Sequence, residues 1–120
     1  MAKVMLVEDD NNLREIYEAR LQAEGYTIVS ARDGEEALVV AKQEQPDLII
    51  SDLQLEDMDG LEMIAKLKTG LPDVPVILLT GVLFDPQVVR ENLSKKVSCY
   101  LEKTSSLATI MAAVRRLLGE

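Results

Sequence analysis

Five short apolar runs, each followed by an amphipathic stretch, predict a three-layer α/β domain with one doubly wound parallel sheet between two layers of helices. Three observations lead there. Strand and helix patterns alternate five times along 120 residues, and right-handed crossovers between parallel strands place the helices on the two sheet faces. The third strand candidate is a continuous aliphatic run rather than an alternating one, which marks a strand buried on both sides. The conspicuous polar residues follow those runs directly, so they gather at one edge of the sheet.

The first strand candidate is Lys3 to Val7, with Glu8, Asp9 and Asp10 directly behind it. Three successive acids repel one another, and either a solvated turn or a divalent cation holds them. Asp10 reads as a solvated cap rather than a ligand. Asn11 or Asn12 is placed to cap a first helix running to about Glu24, with Leu13, Ile16, Tyr17 and Leu21 on its apolar face. Gly25 is placed to end it with a left-handed residue. Tyr26 to Ser30 is the second strand. Asp33-Gly34-Glu35-Glu36 has the form of a capping box and opens a second helix to about Gln45, with Ala37, Leu38 and Ala41 inward.

The third strand lies in Pro46–Gly60, where Asp47 to Ser51 carries an Ile-rich run and Asp52 stands at its end. A carboxylate there is costly unless its charge is compensated. Read alone, Asp52 is either a loop cap or a residue that reacts or binds metal. Asp59-Gly60-Leu61-Glu62 starts a third helix that Gly70 stops. Val76 to Leu79 is the fourth strand, ended by Thr80-Gly81. Pro86 fits the first turn of a fourth helix. Val97 to Leu101 is the fifth strand, followed by Glu102 and Lys103. Thr104 or Ser105 caps a last helix with the stripe Leu107, Ile110, Met111, Val114, Leu117 and Leu118, which packs on the sheet.

Size and composition narrow the function. A chain of 120 residues, 48% of them hydrophobic, makes one globular domain over residues 1–120. No apolar run has the length of a membrane span, and no signal-peptide pattern opens the chain, so a cytoplasmic, membrane-free protein is expected. The single cysteine, Cys99, suits a reducing compartment and reads as a buried, inert thiol. There is no histidine, which removes His-based acid–base chemistry and His-ligated zinc. A net charge of −8 repels nucleic acid and gives no support for direct binding to it.

In open parallel sheets, ligands bind beyond the carboxyl ends of the strands. Glu8 and Asp9 lie there after the first strand, Asp52 after the third, Thr80 after the fourth and Lys103 after the fifth. Acids suit magnesium, one acid can act as a nucleophile towards phosphorus, and an ammonium and a hydroxyl can bind phosphoryl oxygens.

These residues stand in stretches that resemble the response-regulator receiver domain of two-component signalling (the CheY-like family). The stretches are Val7-Glu8-Asp9-Asp10, Pro46 to Asp52, Met58-Asp59-Gly60, Leu79-Thr80-Gly81 and Tyr100-Leu101-Glu102-Lys103, and the resemblance covers the whole chain. It implies the flavodoxin-like sheet, order 2-1-3-4-5, with five helices. It implies phosphorelay signalling in which Asp52 accepts a phosphoryl group from a phosphohistidine of a sensor histidine kinase or phosphotransfer protein. Mg2+ would be held by Glu8, Asp9, Asp52 and the backbone carbonyl of Gln54. Lys103 would contact the phosphoryl group, and Thr80 would move to it. The Tyr100 ring would turn inward behind Thr80, changing the face made by the fourth helix, fifth strand and last helix. The domain would catalyse its own phosphorylation and dephosphorylation without turning over an independent substrate. Its output would be a downstream effector protein, an output domain absent from this chain, or a phosphorylation-dependent homodimer.

Three departures from the family pattern stand out. Glu56 occupies a position where proline is usual, which loosens the loop after Asp52 and makes it more acidic. Thr104 follows Lys103, where a proline with a cis bond is usual. A non-proline cis bond costs roughly 2.5–4 kcal/mol, so a trans bond and a strained cis bond both remain open there. Lys95 to Cys99 lacks the usual glycine and acid. Competing readings are a receiver fold that is not phosphorylated and serves as an interaction module, an aspartyl phosphatase, and a flavin carrier. The phosphatase needs a second acid where Gln54 stands, and the flavin carrier needs aromatics that make up only 3% of this chain.

Overall fold

The computed structural model describes residues 2–53, 55–81 and 97–120. In chain order the elements are β1 (Lys3–Val7), α1 (Asn11–Ala23), β2 (Thr27–Ala31), α2 (Gly34–Glu44), β3 (Leu48–Asp52), α3 (Gly60–Gly70), β4 (Val76–Thr80), β5 (Cys99–Glu102) and α4 (Leu107–Leu117). The strands form one five-stranded sheet in the order β2-β1-β3-β4-β5. All four pairings are parallel, with Val7 beside Ser51, Asp52 beside Leu79 and Thr80 beside Glu102. This is the doubly wound, flavodoxin-like sheet expected. Four helices belong to the described residues, and the helix expected after Pro86 lies outside them.

The continuous apolar strands work because each side chain has a helix layer to enter. Met5, Val7, Ile49, Val76 and Leu78 point to one layer, where Ala37 and Ala41 of α2 and Met63, Ile64 and Leu67 of α3 meet them. Val4, Leu6, Leu48, Ile50, Ile77 and Leu79 point to the other, against Tyr17 and Leu21 of α1 and Ile110, Met111 and Val114 of α4. Each fully buried aliphatic side chain contributes about 1.5–3 kcal/mol, and both layers place the strand ends firmly.

The ends of the helices refine the expectation. Asp10, not Asn11 or Asn12, caps α1, accepting from the backbone N–H of Leu13. An acid directly before the first turn also meets the positive end of the helix. Gly25 takes the left-handed conformation expected, at φ 97°. Asp33 caps α2 as expected, accepting from Glu36 N–H. Ser106 caps α4 in place of Thr104 or Ser105, because the Thr104 hydroxyl turns to Glu102 and Ser105 N–H closes a turn on the Glu102 carbonyl. Ile16 is 50% exposed, since only Tyr17 and Leu21 of its stripe reach the sheet fully. Cys99 is half-buried rather than buried. Among the described residues no peptide bond is cis, so Lys103–Thr104 is trans.

Candidate functional site

The site is built from strand ends. Glu8 follows β1, and its N–H continues the ladder by donating to the Ala31 carbonyl at 3.1 Å. That pairing turns the Glu8 side chain inward, where it is 1% exposed. Arg14, one turn into α1, donates to the Glu8 carbonyl at 3.0 Å and to Asn11 Oδ1 at 2.6 Å. Asp10 N–H donates to Glu8 Oε1 at 3.3 Å. Asp9, between them, is half-buried.

Asp52 closes β3 and is 5% exposed. Leu53 N–H donates to the Leu79 carbonyl at 3.0 Å, and Gly60 N–H to the Leu53 carbonyl at 2.8 Å. A Cβ on Gly60 would lie 2.5 Å from the Leu53 oxygen and 2.7 Å from the Asp52 oxygen, so glycine is what lets α3 start against the end of β3.

Lys103 joins the two acids. Its N–H donates to the Thr80 carbonyl at 2.7 Å, which directs the side chain back over the sheet edge. Its ammonium donates to Asp52 Oδ2 at 2.6 Å and to Glu8 Oε1 at 3.2 Å. Burial raises the Glu8 carboxyl above its usual range; Lys103 moderates this and the Asp52 charge adds to it. Burial opposes the charge on Lys103, but the bonds to Asp52 and the charges of Glu8 and Asp52 together outweigh it and raise its pKa.

One oxygen each from Glu8, Asp9 and Asp52 lies within 4.8 Å of the others, a group able to hold a metal ion. Hard oxygen donors at that spacing fit magnesium, which takes one or two carboxylates and keeps several waters. The Lys103 ammonium bonds two of these three acids, so a divalent cation held there would share those carboxylates with the lysine.

Thr80 ends β4 and is buried. Tyr100 stands beside Leu78 in β5, half-buried against the α2/α3 layer, and by strand alternation Thr80 faces the same layer. Burial, with the Glu102 charge behind it, raises the Tyr100 phenol. Gln54 lies outside the described residues.

The sequence reading missed Asp57. Its carboxylate, in the β3–α3 loop, accepts from Gly34 N–H at 2.8 Å and Glu35 N–H at 2.9 Å, bridging to the start of α2. Those bonds hold its carboxyl below the usual range. No local spacing pairs residues that far apart in the chain.

A family model described as the response regulator receiver domain matches residues 4–115. The chain belongs to the response-regulator receiver family. Receiver domains serve phosphorelay signalling in two-component systems. This receiver is 36% identical over 116 residues to the response regulator protein VraR of Staphylococcus aureus, covering 95% of this chain and 55% of that protein. It is 43% identical over 80 residues to the transcriptional regulatory protein GlrR of Escherichia coli, covering 67% of this chain and 18% of that one. The chain thus spans about half of one relative and under a fifth of the other. Among solved structures it is similar to the chemotaxis protein CheY4 of Vibrio cholerae, with TM-score 0.89, 29% identity and 98% of both chains covered. It is also similar to the response regulator TrrA of Thermotoga maritima, solved with Mg2+ and BeF, with TM-score 0.85, 31% identity, 98% of this chain and 99% of that one. No helix among the receiver's described residues is long and apolar enough to cross a membrane.

Proposed function

We propose that residues 1–120 form one receiver domain in which Asp52 accepts a phosphoryl group. An Asp52 carboxylate oxygen attacks phosphorus, the P–N bond of a donor phosphohistidine breaks, and the leaving imidazole keeps the bonding electron pair. The observation that carries this reading is the Lys103 ammonium shared between Asp52 and Glu8, with Asp9 beside them. An acid bonded to an ammonium at a strand end is held in one orientation, as a nucleophile must be. Glu8, Asp9, Asp52 and the Gln54 backbone carbonyl would hold magnesium, which neutralises charge on the transferring group when bound. TrrA, the similar protein solved with Mg2+ and BeF, supports that assignment. A receiver fold that is not phosphorylated finds no support in a site that keeps these side chains together.

Lys103 then follows a phosphoryl oxygen, and the Thr80 hydroxyl binds another. Space left behind Thr80 admits the Tyr100 ring from the same layer, which biases the surface around β5 and α4. Upstream, a sensor histidine kinase or phosphotransfer protein supplies the phosphoryl group. Downstream, an effector protein, an output domain beyond this chain or a second copy reads the altered face. VraR and GlrR, regulators longer than this chain, favour an output domain.

The test is mass measurement after incubation with acetyl phosphate, with and without magnesium. One phosphoryl group is expected only with the cation, and none on Asp52→Asn. Full labelling of Asp52→Asn overturns the assignment.

A further inference from the structure

Of the three successive acids after β1, Asp9 is anchored least. Glu8 is tied at its N–H to the Ala31 carbonyl and at its carboxylate to Lys103 and the Asp10 N–H. Asp10 is tied by its carboxylate to the Leu13 N–H at the start of α1. No amide or side chain among the described residues donates a hydrogen bond to the Asp9 carboxylate. Its direction is therefore set by its backbone, and one part of that setting is the rigid peptide plane it shares with Glu8. The oxygen of that plane is the Glu8 carbonyl. Arg14 donates to it through Nη1 at 3.0 Å and to Asn11 Oδ1 through Nη2 at 2.6 Å. The Arg14 side chain is only 14% exposed, and one oxygen of Glu18 lies 3.8 Å from its Nε. The other Glu18 oxygen takes the Ser30 hydroxyl of β2 at 3.0 Å. The guanidinium is thus fixed by α1 and, through Glu18, by β2.

We infer that Arg14 is a positioning residue for the divalent cation: by holding the Glu8 carbonyl it fixes the peptide that carries Asp9, and so aims the Asp9 carboxylate into the group it forms with Glu8 and Asp52. The inference rests on the reading of that group as the magnesium site given above. A guanidinium suits the task, because a charge-assisted bond is about twice as strong as a neutral one and a planar fork held at both prongs resists rotation. Without it the peptide turns about the bonds on either side, and the Asp9 side chain turns with it. Position and charge predict opposite signs. A positive charge beside three acids repels a cation, so by charge alone the loss of Arg14 would strengthen magnesium binding. Alignment of Asp9 predicts that the loss weakens it.

The test is magnesium titration by calorimetry on the parent, Arg14→Ala, Arg14→Lys and Tyr26→Phe. Groups that orient metal ligands typically change affinity by about ten-fold or more when removed, and about ten-fold weaker binding is expected for Arg14→Ala. Arg14→Lys keeps the charge with a single donor head in place of the fork and falls between. Tyr26→Phe removes the bond from the Tyr26 hydroxyl to Glu120 at the opposite edge of the sheet, so it lowers stability and leaves magnesium affinity unchanged. Thermal unfolding confirms that each variant is folded, and the Glu8 carbonyl carbon shift, measured without magnesium, reports the lost bond. Should Arg14→Ala fail to fold, Arg14→Lys decides, weaker binding supporting the inference and unchanged binding ending it. If Arg14→Ala binds magnesium as tightly as the parent or more tightly, or Tyr26→Phe weakens binding as much, the inference fails alone. If the parent binds no magnesium, the reading of the site and this inference fall together.

Discussion

Among the described residues, and apart from the sheet ladder and Lys103, the hydrogen bonds that fix the β1–α1 loop are local. Arg14 reaches back six residues to the Glu8 carbonyl, Asp10 N–H reaches back two to the Glu8 carboxylate, and Asp10 caps the helix it precedes. The β3–α3 loop is closed at its base by the Gly60–Leu53 hydrogen bond, but its middle is tied down from far away, by Asp57 bonding amides 23 and 22 residues earlier in the chain. The first loop can form with its own helix. The second acquires its shape only when α2 and α3 lie side by side on the sheet. The acids are thus held by two kinds of device, and the Lys103 ammonium bonds an acid from each side of that divide.

The largest effect is expected from removing that shared cation. Lys103→Met leaves Glu8 and Asp52 facing each other in a buried site without the ammonium they share. Breaking a buried pair by removing one partner costs roughly 3–5 kcal/mol. Lys103 keeps some contact with water, its side chain being 23% exposed, so a loss of about 2–3 kcal/mol is expected in metal-free buffer. Urea unfolding with and without magnesium checks this, and the cation should recover part of the loss. An unchanged urea midpoint would mean that the two acids are compensated by something other than Lys103.

Arg14→Ala comes next. It strips a charged donor from the Glu8 carbonyl, with an expected loss of about 1–2 kcal/mol. If the first loop is held locally, faster amide hydrogen exchange should be confined to the β1–α1 loop and the first turn of α1. Faster exchange at the start of α2 as well would break the contrast between the loops.

The same contrast explains what could be read from the sequence. The sheet was legible because apolar runs and helical spacing are local signals, and the sheet-end rule then placed Glu8, Asp9, Asp52, Thr80 and Lys103 at one edge. The caps were legible only to within a residue or two. Asp10, Asn11 and Asn12 are all competent caps, and the entry of β1 decides among them. The same holds for Thr104, Ser105 and Ser106, where the Glu102 turn decides. Ile16 has the right spacing for the core but lies at the margin of the strip of α1 that meets the sheet. Asp57 was not legible at all, because its partners are backbone amides, which every sequence position offers alike.

The smallest effect concerns Asp57 and acid. Its carboxyl is held below its ordinary value of 3.8 by the Gly34 and Glu35 amides. A carboxylate whose folded pKa is depressed adds stability that is fully present above the unfolded value and is lost as pH falls through the folded one. Protonation takes away the negative charge that the helix N-terminus favours and weakens both bonds. Asp57→Asn removes that charge at every pH while keeping the size of the side chain. The parent should therefore be slightly more stable than Asp57→Asn at neutral pH, and the gap should close once the pH is well below 3.8. Arg14→Ala offers the control, since guanidinium stays charged throughout and its deficit should not close through loss of its own charge. Thermal midpoints of the three proteins at neutral and acid pH decide the matter. A gap between parent and Asp57→Asn that is the same at both pH values would show that the bridge does not depend on the carboxylate charge, and the second loop would then be held by Met58 and packing rather than by Asp57.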